Sequence, residues 1–232
     1  MLEKTFINGK FKAWIFDHEI KKIKKIHEEN LGTWQKNLNP NAYIYALAET
    51  ALTSGADLRY KYVALSSYYD EPQKTDTLLN ELGRVAPISI TRVNNKITID
   101  ATFGTSEANT LKANITTVTD RKNFILSSKT GLLVGDRVKI ILPNNPQGEQ
   151  RKISFISSSS NAITINKEVS ENPSISASNN FNQMISRVHL IYGSTATLSS
   201  NSGEGCSIAK LLETKNSTQT LYTRHEITFG GS

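Results

Sequence analysis

One cysteine, Cys206, in 232 residues leaves no internal disulfide and no cysteine-rich metal site. Its expected role is that of a small buried hydrophobe rather than a nucleophile. No apolar run approaches the ~20 residues a membrane-spanning helix needs, and the mean hydropathy is −0.36. Met1 leads into LEKTFING, not into a basic patch followed by an apolar stretch, so no signal peptide is expected and folding in a cytoplasm is. The four histidines, His18, His27, His189 and His225, have no metal-binding spacing. Asp70, Glu71 and Asp76 lack the glycine-punctuated ligand ladder of a calcium loop, so an ordinary solvated loop is expected there. Ser207 lies in SGEGCS without the GxSxG spacing of a hydrolase, and Gly203 and Gly205 suit turns better than a phosphate cradle. No nucleophile–base pair or carboxylate pair can be assembled, so no enzyme and no cofactor is expected. The acceptor patterns at Asn114 and Asn216 carry no weight without a secretory signal.

What is present is β-forming sequence. Residues 60–66 alternate Tyr60, Tyr62, Ala64 and Ser66 with Lys61, Val63 and Leu65, the two-residue period of a strand. Ile88, Ile90 and Arg92 alternate up to Asn94-Asn95, and Ile97, Ile99, Ala101 and Phe103 alternate away from it, which predicts a hairpin. A second hairpin is predicted at Asn8-Gly9, between residues 4–7 and 10–16. Between residues 114 and 187, short strands are expected at 117–118, 124–127, 137–142, 152–156, 162–165 and 183–190. Turns at Gly131, Gly135-Asp136, Asn144-Asn145-Pro146 and 157–161 separate them, as in a small barrel or sandwich. The closing run puts Leu221, Thr223, His225, Ile227 and Phe229 on one face and Tyr222, Arg224, Glu226 and Thr228 on the other. Residues 215–218 are expected to form a polar hairpin loop before it.

Helical signals are few. Asn39-Pro40 reads as N-cap and first helical residue, with Ile44, Leu47, Ala48 and Ala51 as the buried stripe and Gly55 as terminator, so a packed helix is predicted over about 40–54. Leu78, Leu79 and Leu82 suggest a helical turn or two over 75–82. In HEIKKIKKIHEEN, Ile20, Ile23 and Ile26 recur every third residue among lysines, and the isoleucines are expected to dock on the core while the lysines face water. The formal charge of +6 is spread over scattered lysines, so a nucleic-acid partner is not expected. Tyr68 and Tyr69 stand together at a strand end beside Asp70 and Glu71. These four residues are the candidate contact tip for a sugar or protein, set against the plainer reading of a lid over the core.

The order of motifs resembles a family of tailed-bacteriophage virion proteins. It is carried by Glu29-Asn30-Leu31, the helix over 42–54, Tyr62-Val63-Ala64-Leu65, Asp76-Thr77-Leu78-Leu79 with Glu81 and Arg84, Phe103 followed by Glu107-Ala108-Asn109, and the closing LYTRHEITF. It covers most of 1–114 and about 186–232. Where that pattern runs straight on after Glu107-Ala108-Asn109, residues 112–187 intervene, and their Val134-Gly135-Asp136 turn before Val138 and Ile140 is similar to small β modules of phage tail and fibre proteins. The expected architecture is mainly β: an antiparallel sandwich with one packed helix built from 1–114 and 186–232, and a small β-barrel or sandwich inserted as 115–185.

The resemblance implies a non-enzymatic structural component of the particle, in tail, baseplate or collar, made in the bacterial cytoplasm and residing in the virion. Its implied partners are other copies of itself and other virion proteins, with a fibre or a host-surface glycan or receptor as further candidates. A carbohydrate-binding adhesin module using Tyr68, Tyr69 and the loops of the insertion, and a head decoration protein, are the alternatives.

Overall fold

The computed structural model describes residues 6–33, 60–70, 80–94, 96–200 and 202–230. In chain order the strands are β1 (Phe6–Asp17), β2 (Lys22–Thr33), β3 (Tyr62–Ser66), β4 (Glu81–Val85), β5 (Ser89–Val93), β6 (Lys96–Phe103), β7 (Lys112–Ala113) and β8 (Ile115–Val118). There follow β9 (Asn123–Leu126), β10 (Arg137–Leu142), β11 (Asn145–Ile156), β12 (Ala162–Ile165), β13 (Phe181–Gln183), β14 (Ile185–Tyr192), β15 (Glu204–Glu213) and β16 (Gln219–Gly230). Every pairing among them is antiparallel, and no helix occurs among the described residues. The helix predicted over 40–54 lies outside the described residues.

Two sheets draw on both ends of the chain. One has the order β2-β1-β16-β6-β5, the other β15-β14-β3-β4. β16 pairs with β1 along its whole length, from Phe6↔Gly230 to Asp17↔Gln219, and with β6 on its other side. The inward set of β16, Leu221, Thr223, His225 and Ile227, is buried as the alternation predicts. It meets Phe11, Ala13 and Ile15 of β1, Ile99 and Phe103 of β6, and Val188 and Leu190 of β14 in one apolar cluster, which gives the two sheets a common core.

A third sheet of seven strands, β7-β13-β10-β11-β12-β9-β8, is made of residues 112–183 alone and has its own core around Phe124, Val138, Ile140, Ile153, Ile163 and Phe181. Its first and last strands, β7 and β8, are separated in sequence by Asn114 only, so the sheet curls until its margins meet. Asn114 and Asn180 bridge that seam: Asn114 Oδ1 accepts from the Asn179 amide at 2.7 Å, and Asn180 Oδ1 accepts from the Ile115 amide at 2.8 Å.

Four local readings are corrected. Asn8-Gly9 is not a turn, because β1 runs through it with Gly9 opposite Gly32 and Ile227; two long ladders outweigh a dipeptide's turn preference. The chain turns instead at 18–21, where Asp17 Oδ1 accepts from the amides of Glu19 (3.0 Å) and Ile20 (3.3 Å) and Lys21 takes a φ of 50°. Ile20, in this turn, and Ile23, just after it, do not dock on the core. The segment is a strand of period two, and Ile20 and Ile23 are 63% and 70% exposed.

Leu82, expected in a helical turn, lies in β4; residues 75–79 fall outside the described residues. The segment 215–218 is not a hairpin loop, since β15 and β16 belong to different sheets and the segment crosses between them. Lys215 in this crossover is fully buried, its Nζ donating to the Glu107 carbonyl (2.8 Å) and to Asn109 Oδ1 (2.9 Å), and burial lowers its pKa to about 8. By contrast, the hairpin around Asn94-Asn95 forms as predicted, with Val93 opposite Lys96 and Asn94 at a φ of 53°.

Candidate functional site

The outward faces of β1, β16 and β6 form the floor of a groove. Alternation sends Trp14 and Tyr222 to that face, directly opposite each other, and places Arg224 opposite Asp100. Arg224 donates from Nε to Asp100 Oδ1 (2.7 Å) and from Nη2 to Oδ2 (3.0 Å), while Ser89 Oγ adds a bond to Oδ2 at 3.0 Å. The Arg224 bond, supported by Ser89, holds the Asp100 carboxyl below its ordinary pKa against the opposing effect of partial burial. Ile23 and Ile88, 70% and 68% exposed, wall the groove, which has a volume of about 480 Å³. Aromatic faces, aliphatic walls and one fixed donor–acceptor pair together suit a small ligand more than a chemical step.

The tip predicted from Tyr68, Tyr69, Asp70 and Glu71 lies elsewhere, where the end of β3 meets the seven-stranded sheet; Glu71 is outside the described residues. Tyr68 forms a β-bridge with Asp136, and the Tyr69 amide donates to the Gly135 carbonyl at 2.8 Å. The Arg137 guanidinium sits 4.3 Å from the Tyr69 ring centre, Arg187 and Lys152 lie 5.0 and 5.4 Å from that of Tyr68, and Asp70 pairs with Lys152 at 2.5 Å. These side chains are only partly exposed and their partners are internal. Chemically the arrangement is a joint.

At its centre Asp136 is fully buried. Its Oδ1 accepts from Ser67 Oγ (2.6 Å) and Asn80 Nδ2 (2.7 Å), and its Oδ2 from the Leu133 amide (2.8 Å) and Gln183 Nε2 (2.7 Å). Burial raises the Asp136 pKa, and these four bonds restrain the rise. Gly135, beside it, has a φ of 97°, and a Cβ there would stand 2.8 Å from the Tyr68 ring. Gly135→Ala is therefore expected to lower stability by about 2 kcal/mol through backbone strain and displacement of Tyr68, read as a shift of the urea midpoint.

Two motifs quoted for the resemblance have structural work. Glu81 and Arg84 form a buried pair at 2.6 Å, and Arg84 also donates to the carbonyls of Thr197 (3.1 Å) and Ser202 (2.8 Å), tying the 193–202 loop to β4. Glu107 and Asn109 hold Lys215. No cluster of three metal-ligating side chains occurs among the described residues. His189 and His225 are both buried; the His189 ring finds no hydrogen-bond partner among those residues, and the His225 ring meets only the Ile99 backbone, without good hydrogen-bond geometry.

Of the groove residues, Trp14 and Asp100 were not singled out by the sequence. The one available signal was the outward set of β16, Tyr222 and Arg224, because their partners come from strands over a hundred residues away. No protein-family model, curated protein or solved structure matches the chain.

Proposed function

We propose that the protein is a structural component of a tailed-bacteriophage particle, in the tail, baseplate or collar, that assembles as repeated copies. In this reading the two sheets sharing both chain ends are the assembly body, and the 112–183 sheet projects toward a fibre, another virion protein or the host. The order of sequence motifs supports the phage assignment. The observation that carries the assembly assignment is the margin of β5.

Among the described residues no strand pairs with that margin, and it carries one exposed apolar side chain on each face, Ile90 (50%) and Val93 (67%), in the sequence SITRV. The free N–H and C=O groups of a single edge template further strands. An unpaired margin that exposes Ile90 and Val93 fits pairing with another copy.

The Ile90→Lys/Val93→Lys double variant tests this. Light scattering after size exclusion is expected to give a defined oligomer for the wild-type chain and a monomer for the variant. The variant should still unfold in one cooperative transition, its melting temperature lowered by the loss of assembly and by no more than a modest local cost at the half-buried Ile90. A wild-type chain that stays monomeric at high concentration and is absent from purified particles would overturn the reading.

A further inference from the structure

The groove on the outer face of the five-stranded sheet carries an inference that does not depend on assembly. We propose that it is a saccharide-binding site for neutral, pyranose-based glycans, with Trp14 and Tyr222 as the stacking platform and the Asp100–Arg224 pair as the hydroxyl-binding group.

Trp14 and Tyr222 are direct partners in the β1–β16 register on the solvent side, and Tyr222 is 40% exposed. Two aromatic side chains held by a rigid sheet offer an apolar surface with no loop to order on binding. The C–H face of a pyranose ring matches such a surface, and Ile23 and Ile88 extend it as walls.

The polar side of the groove then selects among ligands. The charged side chains that line the groove, Asp100 and Arg224, neutralise each other through two hydrogen bonds, so the lining offers little net charge with which to hold a phosphate or a carboxylate, and Lys12, opposite Arg224 in the β1–β16 register, lies beyond it. Hydrogen-bonding capacity remains: Nη1 of Arg224 donates to no described residue, and Asp100 Oδ1 accepts one bond and keeps a second lone pair, while Oδ2 already accepts two. A fixed donor beside a fixed acceptor suits a pair of neighbouring hydroxyls. The volume of about 480 Å³ lies within the ~300–1,000 Å³ range of small-ligand sites. Ser89, which orients Asp100, holds the acceptor in place before the ligand arrives.

The test is binding of the full chain to immobilised short neutral oligosaccharides built from hexose and N-acetylhexosamine rings, together with tryptophan fluorescence in solution. The wild-type chain is expected to bind members of the panel with a blue shift of its emission, and to do so equally in the Ile90→Lys/Val93→Lys background. A failed assembly reading would therefore leave this result standing, and the reverse also holds. Trp14→Ala should lower the affinity by a factor of about 10 or more, and Trp14→Phe by less. Arg224→Gln should lower it by a factor of roughly 2 to 10. If Trp14→Ala does not fold, as judged by circular dichroism, Tyr222→Ala on the facing strand takes its place. The assignment is overturned if no panel member binds the wild-type chain, or if Trp14→Ala binds as well as wild type. It is likewise overturned if Trp14→Ala abolishes assembly while glycan binding is nil, which would give the groove to a second copy.

Discussion

Lowering the pH from 7.5 to 5 is expected to remove about 4 kcal/mol of folding stability, roughly 2 kcal/mol from each of two buried histidines. His189 and His225 are 1% and 2% exposed, and burial lowers the pKa of each to about 3 from an ordinary 6.5. For His189 the nearby positive charges of Arg187 and Arg84 push the same way. For His225 the charge of Asp100 and the Ile99 backbone push back, and burial dominates; its ring instead stacks on Phe11 at 4.7 Å between centres.

With folded pKa values depressed, both rings stay neutral in the folded state while the unfolded chain takes up their protons below pH 6.5. Stability is therefore lost progressively from pH 6.5 down toward 3. Asp136 opposes this, because its raised pKa makes the folded state bind a proton first and so adds stability as the pH falls through that raised value. It is one carboxyl against two imidazoles. Asp17, Asp70, Asp100, Asp120 and Glu149, all with lowered pKa values, lose their contributions only below about pH 4 to 4.5.

Urea unfolding at pH 7.5, 6 and 5 reads the effect, and His225→Phe, which keeps the stack on Phe11, should halve the slope. Equal midpoints at pH 7.5 and 5 would show that these rings do not titrate as buried bases.

The second large effect is at the joint. Asp136→Ala is expected to cost about 3–4 kcal/mol, because one side chain satisfies four donors from four separate stretches of chain. The loss is less than four independent hydrogen bonds would give. Asn80 Nδ2 keeps the Val134 carbonyl at 3.0 Å, Ser67 Oγ keeps the Asn80 carbonyl at 3.2 Å, and Gln183 Nε2 keeps the Gly131 carbonyl at 3.3 Å. The Leu133 amide has no such alternative among the described residues.

Asp136→Asn should cost less, about 1–2 kcal/mol. It retains one acceptor and sheds the desolvated charge, yet turns an NH₂ group toward donors. Chemical denaturation gives both values. Limited proteolysis should show cleavage in 104–111, the stretch leading into the seven-stranded sheet, rising in Asp136→Ala. Unchanged midpoints in both variants would remove Asp136 from its place at the centre of the joint.

Both predictions concern groups whose surroundings no local pattern reveals. Alternation located most strands: β10 and β12 coincide with the predicted 137–142 and 162–165, and the inward set of β16 is buried as its period requires. Period two is a property of the extended backbone, so any run long enough to repeat exposes it. Reading failed where two local signals competed, as at Asn8-Gly9, or where a spacing of three in a lysine-rich run imitated a helix, as at Ile20 and Ile23. There the decision belonged to partner strands far along the chain.

Of the groove, Tyr222 and Arg224 were legible as one outward face and nothing more. Of the joint, Tyr68, Tyr69 and Asp70 were legible as a cluster at a strand end, but not as residues facing inward onto Arg137, Lys152 and Arg187.

The amino-acid order alone thus settled that this is a mainly β protein and which residues of β16 share a face, because strand period and turn chemistry act over a few residues. Only the folded chain decided that β16 lies between β1 and β6, that residues 214–218 cross between sheets, and that Trp14, Asp100 and Arg224 share one groove. Those outcomes rest on pairings between residues 118 to 224 positions apart, where the core that several strands bury together, not the preference of any one segment, selects the neighbour.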